Sequence, residues 1–222
     1  RRVLFRSRIF MYANCIKTEQ FLYQKRTVLL YLRLQLIDYQ SIILDSVHQT
    51  VFLSKKGMRI GFGGIGKGYA ADRAKKILVN LGFQHGVVNA SGDMIAWGLN
   101  ERGLPWQVAI VDPDDPTKTI AHFDLTNAAV ATSGNYEKFV MIAGKKYSHT
   151  INPKTGYPIQ GIKSVSVFAP VAELADALTT PIAVMGVEVG LDLVNQLNGI
   201  NCVIIDDDNR IYQSKNIIAS VT

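Results

Sequence analysis

Five of the eight residues from Gly61 to Gly68 are glycine, and a helical pattern follows them without a break. No other run constrains the fold as much. It turns freely, bares backbone N–H groups, and lets a helix approach a neighbour closely. The spacing predicts a helix over 69–81, with Ala70, Ala74, Ile77, Leu78 and Leu81 on one face and Gly82 stopping it. Short apolar stretches bounded by polar turns read as strands at 41–45, 50–53, 58–62, 86–90, 94–97, 106–111, 119–125, 128–132, 139–142, 146–149 and 164–169. Two more helices are expected at 172–185 and 188–197, and a closing hairpin at 202–205 and 210–212. Many short strands with few helices, and no repeat or linker, predict a single α+β domain with mixed or antiparallel sheets and packed helices.

The glycine run has three chemical readings. Gly61, Gly63 and Gly66 match G-x-G-x-x-G, which brings backbone N–H groups to a pyrophosphate at a helix N-terminus. The next strand, Val87-Val88-Asn89-Ala90, lacks the terminal acid that would hold a ribose, so a nicotinamide site is poorly supported. Gly61, Gly66 and Lys67 nearly match a P-loop, but Gly68 stands where a magnesium-binding hydroxyl is required. The third reading is a turn for close helix packing. The run alone does not decide among them.

Charge and composition narrow the field. Residues 1–36 hold eight Lys/Arg and one acid, Glu19; the rest of the chain holds the other 16 of 24 bases and 17 of 18 acids. The basic excess is therefore local, no nucleic-acid-binding module accompanies it, and a nucleic-acid partner is not expected. Two cysteines, Cys15 and Cys202, make neither a disulfide scaffold nor a cysteine zinc site. The longest apolar run, Val28 to Ile37, carries Arg33 and is about half the ~20 residues of a membrane span. Residues 1–36 are read as an atypical basic segment, a fragment boundary or spurious start, with a basic amphipathic helix over 19–36 as the alternative. The domain proper is placed at 37–222.

Three further segments carry chemistry. Ala131-Thr132-Ser133-Gly134-Asn135-Tyr136 ends an apolar strand in small hydroxyl residues suited to close ligand approach. His149 stands beside the Asn152–Pro158 turn, and its spacing from Ile151 predicts one strand with both side chains on one face. Asp176 and Thr180 fall four apart on an otherwise apolar helix, where an acid is costly unless paired or bound to a metal. Carboxylate, hydroxyl and backbone oxygens suit Mg²⁺ or Ca²⁺ rather than zinc. Lys67, a cation at a helix start, signals a bound anion nearby.

Together, GGIGKGYAADRA (63–74), VNASGDMIAWG (88–98), AVATSGNYEKF (129–139), YSHTINPKTGYPI (147–159) and SVSVFAPVAELADALTT (164–180) resemble the bacterial FAD:protein FMN transferases, the ApbE family. The resemblance implies a T-fold-related architecture whose N-terminal part is truncated in this sequence. It also implies Mg²⁺-dependent transfer of FMN from FAD to a Thr or Ser hydroxyl of a partner flavoprotein, with release of AMP. Hydrolysis of FAD to FMN and AMP, or flavin binding without catalysis, are the alternatives. The implied metal ligands are Gly64, Asp176, Thr179 and Thr180. The implied FAD contacts are Gly61, Lys67, Asn89, Gly92, Asp93, Thr132, Ser133, Gly134, His149 and Ile151. His149 resembles the family's base for the acceptor hydroxyl, with Asp176 next in line. The family carries Asp at the position of Gly61, so one FAD-facing carboxylate is missing. It also suggests a bacterial protein on the exported face of the cytoplasmic membrane, with membrane association only through an N-terminal signal or anchor.

Overall fold

The computed structural model describes residues 33–115, 117–134, 139–142 and 145–217. Most of the basic segment, Asn135 and Tyr136 of the small-residue motif, and the turn at 143–144 lie outside the described residues. The chain clusters into two compact units, one of residues 1–63 with Ile151–Tyr157, the other of Gly64–Thr150 with Pro158–Thr222.

In the smaller unit, a 3-10 turn at Tyr39–Ser41 leads into an antiparallel hairpin of β1 (Ile42–Asp45) and β2 (Thr50–Leu53). Asp38 caps the turn and pairs with Lys55 at 2.7 Å. Met58–Phe62 forms no strand, contrary to the sequence reading. Gly57, in the left-handed region at φ +89°, turns the chain just before this segment, and Gly61 within it offers no side chain to pack on a neighbouring strand.

The larger unit is built on a six-stranded sheet in the order β12-β11-β10-β7-β4-β3, with every neighbour antiparallel. Its strands are β3 (Gly86–Ala90), β4 (Asp93–Trp97), β7 (Ala128–Gly134), β10 (Ile162–Ala169), β11 (Asn201–Asp206) and β12 (Ile211–Gln213). Two separate hairpins complete the strands, β5 (Trp106–Val111) with β6 (Thr119–Leu125), and β8 (Phe139–Ile142) with β9 (Lys145–Ser148). The helices are α1 (Gly66–Asn80), α2 (Ala172–Met185) and α3 (Val187–Asn195). None of the described helices is long and apolar enough to cross a membrane.

Period-two alternation divides the sheet's residues between two faces. Ala131, Val165, Val167, Cys202 and Ile204 face α2 and α3, and Ile95 and Ala129 face Ala71 and Ala172. On the other face Val130, Val203 and Ile205 pack under β5–β6, where Phe123 and Phe168 meet at 4.7 Å between ring centroids. Each such aliphatic side chain stabilises the fold by about 1.5–3 kcal/mol on burial.

Helix α1 begins three residues earlier than its apolar pattern predicts, and it buries a different face. Ile77 and Leu81 are exposed, while Gly68 and Ala71 are buried. Contact with the backbone of α2 is the cause: a Cβ on Gly68 would lie 2.2 Å from the Ala172 carbonyl oxygen, so only the smallest residues fit.

Candidate functional site

The larger unit gathers the start of α1, the start of β4 and the middle of α2. Asn89 Oδ1 accepts the Gly92 N–H at 2.8 Å, and Ser91 (φ +57°) and Gly92 (φ +96°) make a two-residue turn. The turn pairs Ala90 with Asp93, so Asp93 opens strand β4 instead of closing the loop, as the sequence reading had it. Asp93 has the same parity as Ile95 and therefore faces α1 and α2.

Asp93 is only 1% exposed. Lys67 Nζ donates to its Oδ1 at 2.9 Å, while its buried Oδ2 has no hydrogen-bond partner. Burial is the main force pushing its carboxyl up to about 6, against the opposing pull of Lys67, and the negative charge of Asp176 raises it further. Asp176 is also buried, and its Oδ2 accepts the Gly68 N–H at 3.1 Å. Thr179 turns its hydroxyl onto the Asp176 carbonyl at 2.9 Å. Gly64 faces Thr180, whose Oγ1 would lie 3.7 Å from a Cβ placed there.

Asp176 raises the carboxyl of Asp93, and Lys67 reaches only one of that carboxylate's oxygens, so a proton or a further cation at the orphaned Oδ2 would relieve the buried charge. Among the described residues no group of three or more His, Cys, Asp or Glu could hold a metal. The available donors are two carboxylates and the Thr180 hydroxyl. That set fits Mg²⁺, which binds through one or two carboxylates and completes its shell with water and substrate phosphate. Lys67 is paired with Asp93 and half-exposed, so its charge already has one partner within the protein.

The remaining predicted positions are dispersed. Strand β7 runs on through Gly134, so Thr132, Ser133 and Gly134 are sheet residues rather than a strand-end loop. Thr132 meets Ser166 with hydroxyl oxygens 2.8 Å apart, and its parity with Val130 turns it to the face opposite Asp93. Ser133 shares the parity of Ala131, on the helix side, and Gly134 pairs with Ser164. Strand β9 ends at Ser148, whose Oγ accepts the Thr150 N–H at 3.0 Å. His149 sits exposed at that bend, so strand alternation does not tie it to Ile151, as the spacing had suggested. Gly61 and Ile151 belong to the smaller unit, where Asn152 N–H to Tyr157 O, at 2.8 Å, closes the loop after Ile151.

Asp72 was not singled out from the sequence, yet it accepts the Ala172 N–H at 3.0 Å and the Glu173 N–H at 2.8 Å. Only the long-range meeting of α1 and α2 reveals it.

An antiparallel α/β sheet protein with a buried oxygen-donor site between two helices is the class that this geometry defines. The profile of the ApbE family matches residues 24–204, and the chain belongs to that family. A protein of Escherichia coli K12 named FAD:protein FMN transferase is 33% identical over 162 residues, 72% of this chain and 46% of that protein. One of the same name from Treponema pallidum is 34% identical over 182 residues, 78% of this chain and 50% of that protein. The crystal structure of the ApbE protein from Thermotoga maritima superimposes with a TM-score of 0.77 at 34% identity, covering 85% of this chain and 61% of that one. The apo flavinyl transferase ApbE of Pseudomonas stutzeri gives 0.73 at 28% identity, covering 84% and 58%. The chain spans about half the length of the curated relatives it matches.

Proposed function

We propose that this chain transfers FMN from FAD to a Thr or Ser hydroxyl of a partner flavoprotein, with Mg²⁺, releasing AMP. The names of its relatives support the transferase class. The observation that carries the metal is the partnerless Oδ2 of buried Asp93 opposite Asp176. Asp93, Asp176 and Thr180 would hold the ion. Mg²⁺, when bound, supplies positive charge to the pyrophosphate oxygens and to the departing phosphate.

The chain's own residues do the rest. Asp176 is oriented by the Gly68 N–H and Asp93 by Lys67, so neither carboxylate needs to reorganise. On the family resemblance, His149 is the base that takes the proton of the acceptor hydroxyl as that hydroxyl's oxygen bonds to the FMN phosphorus. The anhydride bond to AMP breaks, and AMP leaves with the bonding pair. Exposure of His149 leaves it open to a protein acceptor.

The test is incubation with FAD, Mg²⁺ and a flavoprotein-derived peptide containing Thr and Ser, followed by fragmentation mass spectrometry. FMN mass on one hydroxyl residue, lost with EDTA, is expected. AMP with an unmodified peptide would replace transfer by hydrolysis, and neither product would leave flavin binding without catalysis.

A further inference from the structure

Helices α1 and α2 meet along positions four apart on each. Gly64, just before α1, faces Thr180; Gly68 faces Ala172 and Asp176; Asp72 faces Ala172 and Glu173. Steps of four along one chain thus meet steps of four running the other way, a ridge-and-groove match in antiparallel register. Two of these contacts involve oxygens of the proposed cation site. The third, at Asp72, touches none of them.

The N-terminus of α2 has no cap of its own. Val171 precedes it and gives no side-chain hydrogen bond. Asp72 supplies the cap from the other helix, one carboxylate oxygen to each of the first two amides. The negative charge also suits the positive end of the helix dipole. A cap from within a helix fixes only that helix's end, whereas one from a neighbour fixes the axial position of one helix on the other. One residue of slip along α2 is 1.5 Å, against a tolerance of about 0.2 Å for a metal ligand.

We propose that Asp72 is a positioning residue for the cation site, holding α2 so that Asp176 and Thr180 stand opposite Gly68 and Gly64. The inference rests on the cation reading given above, and its test separates the two. Wild type, Asp72→Ala and Asp72→Glu are titrated with Mn²⁺ by electron paramagnetic resonance, and their unfolding is followed in EDTA. Asp72→Glu retains both oxygens and the charge but adds a methylene, so it keeps the cap and displaces the helix. Asp72→Ala should weaken Mn²⁺ binding at least tenfold. Asp72→Glu should weaken it at least threefold, with a melting temperature within a few degrees of wild type. A purely structural role would lower the melting temperature of Asp72→Ala and leave Mn²⁺ affinity unchanged in every variant that folds, which overturns the proposal. If Asp72→Ala does not fold, wild-type affinity in Asp72→Glu is sufficient to overturn it. Wild-type protein that holds no Mn²⁺ would sink the cation reading itself, and this inference with it.

Discussion

Replacing Asp93 by Asn should stabilise the metal-free protein while destroying its cation site. Burial pushes the Asp93 carboxyl up to about 6 from 3.8, with Asp176 adding to the rise and Lys67 opposing it. A rise of about two units corresponds to roughly 3 kcal/mol. The folded state binds this proton more tightly than the unfolded one, so the contribution is full below the unfolded value and lost as pH climbs through about 6. Asparagine has no charge to bury, and its amide can donate to Asp176. Lys67 is 43% exposed, so losing its anion costs little. At pH 8 in EDTA the variant should gain about 1–3 kcal/mol, or roughly 3–10 °C in melting temperature for a chain of this size. Urea unfolding at pH 5 and pH 8 brackets the folded-state titration and should read about half of the full effect. Wild type should weaken over that interval more than the variant, and added Mg²⁺ should restore wild type alone. A variant less stable than wild type at pH 8 in EDTA, or an identical pH slope in both, would mean that Asp93 carries no buried charge in the metal-free protein.

Three other outcomes are expected. Asp176→Ala should lower Mg²⁺-dependent AMP release by two or more orders of magnitude, since it removes a carboxylate from the cation site. It also strands the Gly68 N–H, at about 1–3 kcal/mol, partly offset by relief of Asp93, and calorimetry reads that balance. His149→Ala should slow transfer by roughly 10²–10⁴-fold with Mn²⁺ and FAD affinities retained; lost FAD affinity at an unchanged saturated rate would make His149 a binding residue. Gly68→Ala should cost about 3 kcal/mol or more, because its Cβ would meet backbone at 2.2 Å, and thermal unfolding measures the loss.

Much of the fold was legible because it rests on local signals. Helix α2 was predicted with its observed bounds, and the structure ends it at Gly186, which takes φ +85°. Strands β3, β5 and β6 followed from alternation and bounding turns. The buried face of α1 was not legible, since bulk hydrophobicity points to Ile77 and Leu81 whereas close backbone approach selects Gly68 and Ala71. The spacing of Asp176 and Thr180 placed both on one helix, and the structure sets them opposite Gly68 and Gly64. Asp93 stood inside a recognised motif, but its burial depends on a two-residue turn at Ser91–Gly92, and its contact with Lys67 spans 26 residues. Asp72 depends on a contact 100 residues away, and no local pattern announces it.

Group transfer is tested by the ratio of AMP released to flavin covalently bound in one reaction. With FAD, saturating Mg²⁺ and excess acceptor flavoprotein, one AMP should appear per FMN fixed to a Thr or Ser, and neither product in EDTA. AMP in large excess over bound flavin, or bound flavin that forms undiminished without the metal, would contradict metal-dependent transfer.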